Sequence, residues 1–241
     1  MARTFGTSGD RLSLGTATAL NITGDITIVI TLKFTDTSFS QLFMSYTDVG
    51  PVYPGYALAV GAGGAGKLSY WSDGNGTWWD STSSTYNSGA YVRAGVSITS
   101  TTGTFYKNGA SDGTFTQAAP TTFALDKTIG GQPDDTYLFP GDLAELAVWS
   151  VGLNASEMAA LGTGFAPTTI RPGSLLGYWK ILGTQSPEPD GWKNNYAATV
   201  VGSPAKASHP RVFYPTSARH TPAPIVAPFP PWPNRQLVVV R

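Results

Sequence analysis

The sequence predicts an all-β fold: a two-sheet antiparallel jelly-roll sandwich with one short helix and a C-terminal extended, Pro-rich arm. Composition is the first reason, because only 12% of the 241 residues are charged and the chain holds 28 Gly. Twelve Asp against three Glu suit turns better than helices. The second reason is the strict alternation of apolar residues in Ile26–Phe34. The third is that residues 1–203 contain a single strong helix start, within Phe139–Leu161.

The strands alternate with turn signals along the chain. In Ile26–Phe34 the isoleucines share one face with Leu32 and Phe34, while Thr27, Thr31 and Lys33 take the other, so we expect one buried face. Asn108-Gly109 is a strong two-residue hairpin signal. The predicted strands are Arg3–Gly6, Arg11–Leu14, Ile26–Phe34, Gln41–Tyr46, Gly55–Val60, Lys67–Trp71, Tyr91–Ile98, Thr104–Lys107, Phe123–Ile129, Leu143–Ser150, Leu175–Leu182 and Ala197–Gly202.

The predicted helix follows a late strand inside Phe139–Leu161. Asn154 is a good N-cap, and Glu157, three residues on, can reach back to the Asn154 amide as a capping box.

Several motifs follow one another in an order that is typical of a known family. They are FGTSGDRLSL (Phe5–Leu14), ITIVITLKF, GYALAV with GKLSYW, YNSGAYVRAGVSI, GTFYKNG, FPGDLAELAVWSVGLNASEMAAL and LLGYWKI. Across roughly residues 3–203 the chain resembles the laminin G-like, concanavalin A-like jelly-roll family. The resemblance implies two stacked antiparallel sheets, in a fold that hosts lectins, adhesion modules, glycosidases and virion proteins. Tyr91 and Arg93 depart from the Trp and His usual there, which we interpret as drift in packing.

The chain divides into a domain, residues 1–203, and a basic arm, residues 204–241. The domain holds ten Lys and Arg against fifteen Asp and Glu, whereas the arm holds five basic residues, no acidic residue and nine of the 18 prolines. Such an arm is expected to be extended and to dock on an acidic protein surface, more than on nucleic acid.

Compartment signals are few. The chain has no Cys, its N-terminal residues lack the apolar core of a signal peptide, and no apolar run approaches membrane-spanning length. We therefore expect assembly inside a cell, no export by the general secretory route and no membrane contact.

Catalytic constellations are not evident in the sequence. Both histidines, His209 and His220, lie in the arm. Asp142 and Glu145 are three residues apart, so a regular strand points them to opposite faces. We expect Asp142 to serve the turn and Glu145 to pair at a sheet edge, and we predict that the protein is not an enzyme.

Calcium is the one metal that the loops suggest, and no other cofactor is expected. Asp73 and Asn75, or Asp134 and Asp135, offer hard oxygen ligands. Ordinary turn formation is the alternative for these four residues.

A carbohydrate site is suggested by aromatic rings in a polar loop. Trp78, Trp79 and Tyr86 lie in one polar loop and are expected to be exposed rings that stack on sugars. Trp71 could do the same, although its place in a strand favours burial in the core. Alternatively these rings cap the sandwich or contact a neighbouring subunit. Trp149 and Trp179, within strands, are expected in the core.

The sequence leaves two functions open. The first is a non-enzymatic structural protein of a virus particle, of the phage capsid decoration or minor capsid type, assembled in the host cytoplasm in many copies or as a homo-oligomer. Its arm would dock on other virion proteins such as the major capsid protein. The arm residues proposed for that contact are Arg211, Phe213, Tyr214, Arg219, Phe229, Trp232, Arg235 and Val239. The second is a carbohydrate-binding or adhesion module that attaches to host-surface glycans.

Overall fold

The computed structural model describes residues 1–6, 9–46, 55–72, 77–117, 120, 126–193 and 195–213. These residues form two antiparallel sheets and a single α-helix. The predicted all-β sandwich with one short helix is therefore confirmed. No helix within the described ranges is long and apolar enough to cross a membrane.

The strands and the helix are short and follow the predicted order closely. The strands are β1 (Ala2–Phe5), β2 (Arg11–Ser13), β3 (Ile26–Lys33), β4 (Ser40–Tyr46), β5 (Gly55–Val60), β6 (Leu68–Ser72), β7 (Trp79–Asp80), β8 (Val92–Thr99), β9 (Thr102–Lys107), β10 (Ala110–Thr116), β11 (Thr128–Ile129), β12 (Gly141–Trp149), β13 (Leu175–Trp179), β14 (Thr199–Val201) and β15 (Ala205–Ala207), and the helix is α1 (Ala155–Gly162). The eight-stranded sheet has the order β10-β9-β8-β3-β12-β1-β15, with β13 also paired to β12. The seven-stranded sheet has the order β14-β2-β11-β4-β5-β6-β7.

The main core lies between the two sheets. Ile28 and Ile30 of β3 meet side chains such as Leu58 and Tyr70 of the other sheet, all fully buried. The opposite face of β3 is buried as well, which differs from the single buried face that we expected. Other parts of the chain cover it.

Helix α1 is one part of that cover. Its capping box forms as predicted, because the Glu157 amide donates to Asn154 Oδ1 at 3.0 Å and Glu157 Oε2 accepts from the Asn154 amide at 2.8 Å. Met158 and Leu161 then belong to a second apolar cluster that also contains Trp149. The helix thus covers part of one outer face of the sandwich.

Two glycines allow the helix to lie close to the sheet. A Cβ at Gly95 on β8 would stand 2.9 Å from Met158 Cε. At the hairpin between β9 and β10, Asn108 and Gly109 have φ angles of 50° and 84°, which confirms the predicted turn. A Cβ on Gly109 would meet the Met158 carbonyl oxygen at 2.8 Å, so this position also needs glycine.

The first residues of the predicted arm lie against the sandwich. Strand β15 pairs with β1 at the edge of the eight-stranded sheet, with Ala207 opposite Ala2. Farther on, the Phe213 amide donates to the Gly164 carbonyl at 2.7 Å, and the Ala166 amide donates to the Phe213 carbonyl at 3.0 Å. The division at residue 203 stays a prediction, but residues 204–213 contact their own body.

Candidate functional site

Four aromatic rings gather on the outer face of the seven-stranded sheet. The Phe39 ring, just before β4, lies 5.1 Å from Trp78 and 4.8 Å from Tyr137 between centroids, both edge-on. Trp71 of β6 lies 6.5 Å from Trp78. These tilted and edge-on arrangements are the ones that aromatic pairs favour. We call Phe39, Trp71, Trp78 and Tyr137 the aromatic platform.

Small residues on the strand between them give the rings room. Ala57 and Ala59 of β5 stand opposite Trp71 and Ser69 of β6. Because neither alanine rises far above the sheet, rings from both sides can meet over this strand. Trp71 is buried at the base, Trp78 is half-buried, and Tyr137 keeps 50% of its surface exposed. The platform therefore offers aromatic surface to solvent.

Tyr137 reaches the platform from a tightly held loop. The Thr136 hydroxyl donates to Asp134 Oδ1 at 2.6 Å and lies 2.9 Å from the side-chain amide oxygen of Gln132. The Tyr137 carbonyl accepts from the Gln41 amide at 2.9 Å, which ties the loop to β4. The φ angle of Tyr137 is 48°, a left-handed conformation that is costly for an aromatic residue. The loop thus holds this ring in place at some cost in strain.

Polar side chains continue across the same outer face. Strand register aligns Gln41, Ala59, Ser69 and Asp80 on four neighbouring strands. Asp80 Oδ1 accepts from the Ser69 hydroxyl at 2.6 Å and from the Gly63 amide at 3.1 Å. The platform is therefore bordered by amide and carboxylate groups, which are the groups that bind sugar hydroxyls.

Of the three residues predicted for carbohydrate, only Trp78 stands on the platform. Its neighbour Trp79 points to the other side of β7, where it stacks on Phe115 with centroids 5.3 Å apart. Tyr86 has 0% of its surface exposed, and its hydroxyl donates to Asp112 at 2.8 Å. Burial, with the Asp112 hydrogen bond, raises the pKa of Tyr86. Trp79 and Tyr86 serve the sandwich, which was the alternative for them.

The predicted metal ligands have other roles where they are described. Hydrogen bonds from Thr136 lower the pKa of Asp134, and Asp135 pairs with Arg11. Among the residues that the structure describes, no three His, Cys, Asp or Glu side chains come together to hold a metal ion. Asp73 and Asn75 lie outside the described residues, so calcium there stays a prediction.

The outer face of the eight-stranded sheet carries the carboxylates, and their arrangement corrects our strand argument. Asp142 stands opposite Lys33 and Glu145 opposite Thr31, with a β-bulge between Leu143 and Glu145. The bulge inserts one extra residue, so Asp142 and Glu145 lie on the same outer face instead of opposite faces. We expected Asp142 to serve the turn and Glu145 to pair at a sheet edge. This was wrong, because both residues lie within β12, which is inside the sheet and paired with β3.

Each of these carboxylates is fully engaged within the protein. Asp142 accepts from the Thr4 hydroxyl at 2.5 Å and pairs with Lys33 at 3.2 Å. Glu145 forms a buried ion pair with Arg93 at 2.7 Å and accepts from the Tyr178 hydroxyl at 2.6 Å. Both carboxylates thus stabilise the fold through contacts within the protein.

Residues 208–213 cross that face close to the paired carboxylates. The Tyr91 hydroxyl donates to the Ser208 carbonyl, and His209 Nε2 lies 3.2 Å from both the Ala144 and Lys180 carbonyls. Of the predicted arm contacts, Arg211 and Phe213 are exposed here. The others, Tyr214, Arg219, Phe229, Trp232, Arg235 and Val239, lie outside the described residues.

Phe39, Tyr137 and Gln41 were missed in the sequence. The rule that selected Trp78, an aromatic ring in a polar loop, applies equally to Tyr137 in QPDDTYLF. Phe39 and Gln41 have no local signal, because only the pairing of β4 with β5 places them beside residues from β6 and β7.

The two antiparallel sheets and the order of their strands define a two-sheet β-sandwich. The chain belongs to the concanavalin A-like lectin/glucanases superfamily, whose laminin G-type family model matches residues 5–159. No curated protein sequence matches the chain significantly.

Similar solved structures share this fold. A Bacteroides ovatus protein, proposed to bind carbohydrate, matches with a TM-score of 0.65 and 15% identity, over 88% of this chain and 61% of its own. The CBM40 module of the Ruminococcus gnavus IT-sialidase, bound to α2,3-sialyllactose, matches with a TM-score of 0.51 and 15% identity, over 67% of this chain and 98% of its own. Domains LG4-5 of the mouse laminin α1 chain match with a TM-score of 0.50 and 15% identity, over 64% of this chain and 43% of their own. At these identities the likeness concerns the fold, and the chain spans only part of the first and third structures.

Proposed function

We propose that this protein binds carbohydrate through the aromatic platform, as a module that attaches to glycans on a surface. The observation that carries the proposal is the contact of Phe39 with both Trp78 and Tyr137, which leaves partly exposed rings on one face. The C–H face of a pyranose packs on such rings, and nearby amide and carboxylate groups bind its hydroxyls. Membership of a lectin-containing superfamily supports the same reading.

The proposal is tested with a glycan array followed by calorimetric titration of lactose, cellobiose and α2,3-sialyllactose. We expect binding to at least one saccharide and a loss of tenfold or more in affinity, about 1.4 kcal/mol, for Trp78→Ala. Phe165→Ala is the matched control, because its ring is 41% exposed but belongs to the other side of the sandwich. Absence of binding to every saccharide, or equal losses in both variants, contradicts the proposal.

A second candidate is a structural protein of a virus particle, docking through the arm on a partner such as the major capsid protein. The specific support is that Phe165 and Phe213 are paired through their backbones while exposing 41% and 56% of their surfaces. In this case deletion of residues 204–241 leaves a folded body that no longer assembles in many copies or with capsid protein. Sedimentation and co-purification measure this, and unchanged assembly of the truncated chain contradicts it.

A further inference from the structure

Gln41 is a buried amide without a partner at the edge of the platform. The residue is 1% exposed, and neither its Oε1 nor its Nε2 has a hydrogen-bond partner among the described residues. On either side of Gln41, Ser40 and Phe43 stand opposite Val60 and Leu58 of β5. Val60 and Leu58 belong to the core, so these positions face inward. Gln41, opposite Ala59, therefore points to the outer face, as does Phe39 two residues earlier.

Among the described residues, no group forms a hydrogen bond with this amide. The nearest polar side chains in the row are Ser69 and Asp80, which bond to each other at 2.6 Å, with Ala59 between them and Gln41. An unpaired buried donor and acceptor destabilise a folded protein, so buried amides nearly always find partners. An amide left unpaired beside a platform of rings indicates that its partner is a ligand.

We propose that Gln41 determines which saccharides the platform accepts, by requiring two adjacent hydroxyl groups on the bound sugar. Nε2 donates to one hydroxyl oxygen and Oε1 accepts from its neighbour, so the two ends of one amide are satisfied by one vicinal diol. Ring stacking alone tolerates many pyranoses, whereas a site with a buried amide rejects sugars that leave it unpaired. This inference rests on the proposed function.

Access to Gln41 runs past Tyr137. The backbone N–H of Gln41 donates to the Tyr137 carbonyl at 2.9 Å, so the two residues are adjacent. Tyr137 has 50% of its surface in solvent and a left-handed backbone. It is the most exposed ring of the platform, and rotation of its side chain would admit a hydroxyl group to Gln41.

Gln41→Met separates a ligand-binding amide from a merely unpaired one. Met has a similar length and no polar group, so the melting temperature should rise in either case. If Gln41 binds the sugar, Gln41→Met lowers the affinity for the best-binding of lactose, cellobiose and α2,3-sialyllactose tenfold or more. Gln117→Met is the matched control: Gln117 is also buried with an unpaired Nε2, but its Oε1 accepts from Ser72 and it lies off the platform.

Deoxy derivatives of that saccharide complete the test. Removal of one hydroxyl of the diol should weaken binding to the native protein tenfold, yet change binding to Gln41→Met less than twofold. If Gln41→Met binds like the native protein while Trp78→Ala does not, the inference is overturned and the proposed function stands. If no saccharide binds in a Trp78-dependent way, both fall.

Discussion

The two outer faces of the sandwich differ in how their polar groups are satisfied. On the eight-stranded sheet, Glu145 and Asp142 are each held by side chains of other strands of the same sheet, close to residues 208–213. On the seven-stranded sheet, aromatic rings stand partly in solvent and Gln41 has no partner among the described residues. A face whose charges are paired internally serves stability, whereas a face with unpaired groups and exposed rings is suited to a ligand.

Two residues that depart from the family pattern help to close the first face. Arg93 donates to Glu145 and, through Nε, to the Thr31 hydroxyl at 3.2 Å, and it also donates to the Leu161 carbonyl at the end of α1. The Tyr91 hydroxyl donates to the Ser208 carbonyl and lies 3.3 Å from Asp142 Oδ2. The interpretation of these two residues as drift in packing was therefore incomplete, because they join the sheet to the helix and to the start of the arm.

The sharpest test of the difference is Arg93→Ala. It leaves Glu145, whose side chain is only 4% exposed, with a buried charge and no cation, which typically costs about 3–5 kcal/mol. Chemical denaturation should show this loss, while saccharide affinity per folded molecule stays unchanged.

The control for this prediction is Arg93→Met combined with Glu145→Met. With both charges removed, the double variant should be more stable than Arg93→Ala, because no charge remains unpaired. A change in saccharide affinity in either protein would contradict the separation of the two faces.

Truncation gives the next largest effect. A chain that ends at residue 203 loses the β15–β1 pairing, the Ser208 bond to Tyr91 and the backbone bonds of Phe213. We expect it to be about 2 kcal/mol less stable than a chain that ends at residue 213, since each net hydrogen bond contributes about 1 kcal/mol against the entropy of ordering the segment. Equal denaturation midpoints for the two chains would show that residues 204–213 do not seal the face.

The sequence was most informative where one local rule decides the structure. The strand at Ile26–Phe34 and the Asn154 capping box depend on neighbours in the chain, and both were confirmed, although the strand is buried on both faces and not on one. The platform depends on which strands lie side by side, so the sequence alone could not identify Phe39 and Gln41 as part of the site. The bulge beside Glu145 changes which face of the sheet the following side chains point to, and no residue type in Leu143–Glu145 predicts it. Trp78 and Trp79 were treated alike, although adjacent strand residues face opposite sides.

The smallest effect concerns the pH dependence of stability at Tyr91. Burial, reinforced by the negative charge of Asp142, raises the pKa of Tyr91 to about 12. Between its ordinary pKa of about 10 and this value, the unfolded chain releases a proton that the folded protein keeps, so stability falls as pH rises. Because Tyr91 is partly exposed, we expect this loss of stability to be less than about 1 kcal/mol between pH 10 and 12.

Tyr91→Phe removes this contribution, while Tyr56 and Tyr86, whose pKa values are also raised by burial, remain in both proteins. The difference in unfolding free energy between the two proteins should therefore shrink with rising pH, and a constant difference would mean that Tyr91 is not held by Asp142 and the arm.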